Sequence, residues 1–249
     1  MGTHMEIINE SSGAIGCGII GVVLLSLIWG SWRILNWVWL RPKKLESCLR
    51  KQGLNGNSYK LFFGDLKESS AMDKEASSTR ISISDDAVPS RVLPFIHTNI
   101  SNYGKKSFTW FGPIPNVNIV DPELVKEVLS KNFNYQKTKS NPFIKLVANG
   151  LTTLDVWMER VVHEDMKLGG ITLLEGVIVS LHVMLLHYDR EIWGDDVKEF
   201  KPERFAEGVS KATKNNQASF SPFSSGPRVC IGQNFSMLEA KMAIATILQ

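Results

Sequence analysis

From Gly13 to Trp32 the chain reads "GAIGCGIIGVVLLSLIWGSW", twenty positions without a charged side chain. Wound as a helix at about 1.5 Å per residue, that stretch reaches across the roughly 30 Å of a hydrocarbon core, and it predicts a membrane span. Arg33 follows, then "ILNWVWLRPKK", whose Trp37 and Trp39 suit the headgroup layer. Arg41, Lys43 and Lys44 stand behind the span, with Glu6 and Glu10 in front of it. That asymmetry places the N-terminus outside and the remaining chain in the cytosol. A cleaved signal peptide is the alternative. The long apolar run, the flanking tryptophans and the lack of a small-residue cleavage site before the basic cluster argue against it. "GCGIIG" inside the span matches a dinucleotide fingerprint letter for letter, but no preceding strand or following acid accompanies it, so its small residues read as helix packing.

Past the span the pattern changes. From Leu45 to about Pro89, "KQGLNGNSYK" and "KESSAMDKEASSTRISISDD" mix charge with Gly, Asn and Ser and read as a linker or a short helix with loops. "SFTWFG" and "NVNIVD" are β-branched and aromatic runs on either side of "PIPN", which predicts a hairpin with its turn there. Asp121 then caps "PELVKEVLSKNF", with Pro122 in the first turn and Leu124, Val125 and Val128 on one side. Between Arg160 and Phe205 strand-like stretches are broken by Gly169-Gly170 and Gly176. "GVIVSL" reads as strand, whereas "HVMLLHY" suits a strand or a short helix. The segment Gln233–Gln249 places Phe235, Met237, Leu238, Met242, Ile244 and Ala245 at helical spacing, so a helix begins just after Cys230.

Composition removes several functions. With 249 residues, 43% hydrophobic, the chain can bury a core. A net charge of +3 without a basic stripe interleaved with aromatics gives no reason to expect a nucleic-acid partner. Three cysteines, Cys17, Cys48 and Cys230, form no CxxC pair, which argues against a disulfide framework or a zinc knuckle. "HEDMK" starts like a zinc-protease helix but has Lys167 where the second ligand belongs. His182 and His187 are five apart, off the face that joins i and i+4, and read as a core and a surface histidine. Asp195, Asp196 and Glu199 read as a solvated loop.

The remaining question is Cys230, in "FSPFSSGPRVCIGQNF". A cysteine just before a helix has its anionic form favoured by the macrodipole and by unpaired N–H groups. Gly226 and Gly232 permit a tight backbone path that a flat ligand can approach, Arg228 offers a cation to a carboxylate, and Phe223 can cover the sulfur. A buried structural thiol is the plain alternative.

Phe223, Gly226, Arg228, Cys230 and Gly232 resemble the F-x-x-G-x-R-x-C-x-G signature of the cytochrome P-450 superfamily, all five positions being present. "EFKPERF" resembles the family's aromatic loop, and "HYDREIWGDD" the segment before it. "LRPKKLESCLRKQGLNGNSYKLFFGDLKE" is similar to the plant branch that includes secologanin synthase and related terpenoid and hormone oxidases. The resemblance implies a mainly α fold with small β-sheets behind a transmembrane helix. Its parts are a lumenal stretch 1–12, an anchor 13–40, a linker 41–90, a hairpin-and-helix part 91–150 and a haem-binding part 151–249. It implies haem b with Cys230 as the iron ligand, and Phe223, Gly226, Arg228 and Gly232 around the cofactor. It further implies that Arg228, with Arg204, helps seat the haem or its loop. It implies a single-pass protein of the endoplasmic reticulum membrane facing the cytosol, a hydrophobic small-molecule substrate, and an NADPH-dependent reductase as partner, so that NADPH acts only indirectly.

The resemblance covers both ends of the family's pattern and skips its middle. No glutamate has Arg three positions on, so the E-x-x-R pair is missing, and "ANGLTT" lacks the acid of the oxygen-activating helix. The chain ends inside the helix after Cys230. Leu174 and His182 stand where prolines are usual, and Ser224-Ser225 where a glycine and an aromatic are frequent. Two functional classes are open: a monooxygenase inserting one atom of O2 into a hydrophobic substrate, or a catalytically silent, membrane-anchored fragment of such an enzyme.

Overall fold

The computed structural model describes residues 21–78, 88–131, 133–137, 158–214 and 216–249. Its first element, α1, is one helix, Gly21–Lys51, long and apolar enough to cross a membrane, its most apolar stretch almost wholly uncovered by the rest of the chain. Residues 13–20 of the expected span lie outside the described residues. The Arg33 guanidinium sits 4.9 Å over the Trp29 ring and the Lys43 ammonium 5.6 Å over Trp39, so these cations lean back on aromatic faces beside the apolar run.

The helix widens to a π-turn over Asn36–Leu40, just before Pro42. Proline has no N–H to give the carbonyl four residues earlier, which would leave buried Val38 short of a donor. The Tyr59 hydroxyl donates to the Val38 oxygen at 2.7 Å and fills that place. The apolar part of α1 is thereby fastened to the domain at its end.

The expected linker 41–90 needs correcting in its first part. Leu45, Leu49, Leu54 and Tyr59 all belong to the core, because Leu45 and Leu49 sit one turn apart on the buried side of α1. Gly and Asn content hid that stripe. The next helix, α2, Leu66–Ser78, buries none of its residues, as its polar sequence implies.

Six strands form the central sheet, in the order β1-β2-β3-β8-β5-β4. They are β1 Asn55–Gly56, β2 Lys106–Phe111, β3 Ile114–Ile119, β4 Tyr135–Lys137, β5 Met158–Val162 and β8 Ile178–Leu181. Strands β6 Met166–Leu168 and β7 Ile171–Leu173 make a separate hairpin. The expected hairpin β2–β3 is present, but its turn is Gly112-Pro113, since Phe111 pairs with Ile114. Gly112 takes φ +59 there, which frees Pro115 and Asn116 to join the strand. Strand β3 then pairs in parallel with β8, Val117 facing Val179 and Ile119 facing Leu181. His182 continues the ladder by donating its backbone N–H to the Ile119 oxygen at 3.2 Å. "HVMLLHY" resolves as a helix, α6, Val183–His187, and the short helices α7, Arg190–Trp193, and α8, Val209–Ala212, follow.

Helices α3 Val88–Val92 and α4 Pro94–Tyr103 precede the sheet's first hairpin. Helix α5, Pro122–Ser130, begins where the sequence indicates: Asp121 Oδ1 accepts from the N–H groups of Glu123 at 3.0 Å and Leu124 at 3.1 Å. It buries Val125, Val128 and Leu129.

The two faces of the sheet differ in chemistry. Alternation puts Phe108, Trp110, Val117, Ile119, Val179 and Leu181 in the apolar core. The opposite face carries Ser107, Thr109, Asn116, Asn118, Ser180 and, one step past β8, His182, all of them buried. Asn118 organises this polar face. Its amide nitrogen reaches the Ser107 hydroxyl at 3.3 Å and Asn99 Oδ1, on α4, at 3.4 Å, while its Oδ1 lies 3.0 Å from His182 Nε2.

Leu181 lies fully buried between Ile119 and Met158, so Leu181→Ala is expected to cost about 2–5 kcal/mol of unfolding free energy in denaturant titration. A second prediction concerns pH. Burial pushes His182 down to about 3, so the folded chain keeps it neutral while the unfolded chain protonates it below about 6.5. Stability is therefore whole above that pH and falls as pH drops toward 3, by at most about 1.4 kcal/mol per unit from this group. Asp65, raised chiefly by burial, acts with the opposite sign but equally in both proteins compared. Unfolding measured from pH 5 to pH 8 is expected to decline on acidification less in His182→Gln than in the natural chain.

Candidate functional site

The segment around Cys230 is built on three supports. The first is an aromatic cluster: Phe220 lies 5.2 Å from the His187 ring, 5.1 Å from Phe205 and 6.0 Å from Trp193, centre to centre. His187 Nε2 accepts the backbone N–H of Ser221 at 3.3 Å, and Trp193 Nε1 donates to the Leu186 oxygen at 2.9 Å. His187, expected at the surface, is thus half-buried under the start of the loop, and burial lowers its pKa.

Arg204 provides the second support, from the "PERF" turn. Its guanidinium donates to the Trp193 oxygen at 2.7 Å and the Asp196 oxygen at 2.9 Å, and pairs with the Asp196 carboxylate at 3.0 Å. Lys201 joins Asp196 at 2.7 Å, and these hydrogen bonds, Lys201 first, hold the Asp196 carboxyl below its usual range. Asp196 is therefore more than the solvated acid its sequence suggests. It is the partner that Arg204 finds among the described residues, in a chain without an E-x-x-R glutamate.

Helix α5 is the third. The turn Gly226–Arg228 lies against the C-terminal end of α5, and Gly226 takes φ +72. A side-chain carbon there would stand 2.6 Å from the Leu129 carbonyl oxygen, so both conformation and space require glycine. Asn216 ties the approach to α5 by donating to Glu123 at 3.0 Å. The loop closes on itself where the Cys230 N–H donates to the Phe223 oxygen at 2.9 Å. The Cys230 carbonyl oxygen accepts from the Gln233 N–H at 3.2 Å, which starts the last helix, α9, Gln233–Leu248.

The five expected positions are therefore brought into one loop, in unequal settings. Gly232 is buried and Phe223 half-buried, whereas Gly226, Arg228 and Cys230 are exposed. Around the thiol, Val229 is 48% exposed, Ile231 97% and Phe235 68%. Every residue of α9 is exposed. Nothing among the described residues covers this face. The motif thus presents an exposed thiol whose neighbours along the chain include exposed apolar residues and Arg228, residue types that could hold a planar, acid-bearing iron macrocycle on one side, and the described residues show no second wall.

The family model described as Cytochrome P450 matches residues 151–249. Cytochrome P450 72A397 of Kalopanax septemlobus is 28% identical over 465 residues, covering 88% of this chain and 89% of that relative. Residues 151–249 of the chain are thus similar to the cytochrome P450 superfamily. Cytochrome P450 CYP72A219 of Panax ginseng is also 28% identical, over 480 residues, with 94% and 91% covered. Since this chain has 249 residues, about half of those 465 aligned positions face gaps in it. A solved zebra fish cytochrome P450, described with abiraterone, overlaps 39% of this chain and 21% of its own at 29% identity and a TM-score of 0.31.

Ser224 takes φ +64, a left-handed conformation that suits glycine, with its hydroxyl buried and unbonded. Ser224→Gly is expected to firm the loop by about 1 kcal/mol, and Gly226→Ala to loosen it. The rate of tryptic cleavage after Arg228 checks both, slower in the first variant and faster in the second.

Proposed function

We propose that this chain is a haem-thiolate protein of the monooxygenase type, with Cys230 as the axial ligand to iron. The observation that carries the reading is the loop itself: an exposed thiol at the start of α9, held by the Cys230–Phe223 hydrogen bond and by Gly226 against Leu129. Bound thiolate-ligated haem supplies oxygen activation and transfer of one oxygen atom to a hydrophobic substrate. In this chain Ile231 and Phe235 would lie against the macrocycle, Gly232 would let the backbone approach it, Arg228 would meet a propionate, and Phe223 would shield the sulfur. Arg204 acts at one remove, by fixing the turn that carries Phe205 and so the aromatic cluster beneath the loop.

The substrate proposed is a plant terpenoid or hormone precursor, in keeping with the plant relatives. Electrons would come from NADPH through a reductase, with α1 holding the protein in the endoplasmic reticulum membrane and residues after it in the cytosol. A second reading is favoured by a specific observation, the uncovered face around Cys230: a silent, membrane-anchored fragment that binds haem weakly or not at all.

The carbon monoxide difference spectrum of the reduced protein, expressed in membranes with haem supplied, separates the two. A thiolate-type Soret band that disappears in Cys230→Ser is the expected result. Its absence, in protein shown by immunoblot to be present, would leave the silent-fragment reading standing.

A further inference from the structure

A short turn between Tyr59 and α2 carries its apolar side chains outward. Leu61, Phe62 and Phe63 are consecutive and 47%, 56% and 49% exposed, and three bare apolar residues in a row are unusual on a surface that meets only water. The end of the first hairpin lies against this turn: Gly64 bridges to Phe111, and a side-chain carbon at Gly64 would stand 2.7 Å from the Trp110 Cβ. Phe111 and its pairing partner Ile114 are themselves exposed. Five apolar residues are thus gathered at one end of the sheet. Phe62 also takes φ +63, a left-handed conformation rare for a bulky residue. The turn holds it there by the Phe63 N–H to the Leu61 oxygen at 2.8 Å and the Gly64 N–H to the Lys60 oxygen at 2.9 Å. A strained backbone that turns an aromatic ring outward points to a use for that ring.

The Tyr59 hydroxyl identifies what covers this surface. It donates to the Val38 oxygen at 2.7 Å and accepts the Phe62 N–H at 3.3 Å, so a single oxygen bridges the end of the apolar run and the turn. The Trp39 ring lies 6.3 Å from that of Tyr59, and Trp37 and Trp39 are exposed on the same stretch of α1. Phe62 therefore stands at the level of the two tryptophans, where a span leaves hydrocarbon for headgroups. The charges agree. The Lys67 ammonium lies 4.0 Å over the Phe63 ring, as that of Lys43 lies over Trp39, an arrangement that lets an apolar stem follow a ring into the boundary layer with its charge at the phosphates. The acids beside the turn are engaged: Glu68 pairs with Lys60 at 2.7 Å, and buried Asp65 accepts from the Trp110 N–H at 2.8 Å and the Asn57 amide at 3.0 Å. Neither meets lipid as an unpaired charge. A protein partner on this surface would have to displace the lipid around α1 at the same level.

We infer that the turn Leu61, Phe62 and Phe63, with Phe111 and Ile114 beside it, is a second membrane contact, seated in the headgroup–acyl boundary of the bilayer that α1 crosses. The inference rests on the reading of α1 as a membrane span. Its consequence is orientation. A single helix lets the domain swivel over the surface, whereas a second contact roughly 5–10 Å deep in the boundary layer holds it in one attitude toward the lipid. The contact is chiefly apolar, so a zwitterionic bilayer suffices for it.

The test uses the full chain in phosphatidylcholine vesicles, with an environment-sensitive fluorescent amino acid in place of Phe62, of Ile28 on the exposed face of α1, or of Lys211 on α8, one at a time. Quenching is read from nitroxides along the lipid acyl chains and from iodide in the water. The expected result is quenching by lipid nitroxide and shielding from iodide at positions 28 and 62, and the reverse at position 211. Phe63→Asp is expected to cut the lipid quenching at position 62 about threefold and to leave position 28 unchanged. The inference is overturned if iodide reaches position 62 as it reaches 211 while position 28 stays in lipid. It is equally overturned if position 62 is shielded from iodide without being quenched by lipid, since a protein then covers the patch, or if Phe63→Asp leaves the quenching there as it was. Iodide reaching position 28 would show instead that α1 lies outside the bilayer, which removes the reading beneath the inference and the inference with it.

Discussion

The parallel pairing of β3 with β8 holds this molecule together. It joins residues 116–119 to residues 178–181, the sole strand pair that links the N-terminal hairpin to the C-terminal strands among the described residues. The cost of closing so long a loop is met by burying Val117, Ile119, Val179 and Leu181 on one face at once. Two helices take their positions from that seam: α5 leaves β3 and α6 leaves β8, each within a few residues.

Those two helices are what place Cys230. The end of α5 receives the Gly226 turn, and α6 carries His187 under Ser221. Between them, Trp193, Phe205 and Phe220 form a cluster that Arg204 closes from outside through Trp193 and Asp196. The cysteine loop therefore stands on well-packed ground although its own outer surface is bare. The packing that orients the thiol and the packing that would enclose a cofactor are separate, and the described residues contain the first without the second.

A similar division runs through the sheet. Its apolar face has a complete set of partners in α1, α5 and the strands around them. Its polar face has Asn118 as a hub but leaves atoms of Asn116, Ser180 and His182 without a partner among the described residues. Buried polar atoms are costly when unmet, so the second face contributes less to stability than the first.

Much of this was legible in local sequence. The uncharged run before Arg33, the Asp121 cap ahead of Pro122, the hairpin of "SFTWFG" and "NVNIVD", and the cysteine in its glycine-bearing loop are all short-range patterns, set by periodicity, turn chemistry and side-chain type. Local pattern misled where burial came from afar. Leu45, Leu49 and Tyr59 looked like parts of a linker because glycine and asparagine surround them, and only docking against the domain makes them core. The turn fell at Gly112-Pro113 because pairing with β8 drew Asn116 into a strand. His182 and His187 gave no sign of their roles, since one is fixed by Asn118, 64 positions away, and the other by a loop 34 positions on. The sequence by itself determined the uncharged run, the helix cap at Asp121 and the glycine-bearing loop around Cys230, because those depend on neighbours along the chain. The tertiary structure alone decided which side of the sheet is dry, which polar atoms lack partners and how bare the thiol stands, because burial is a property of contacts between distant segments.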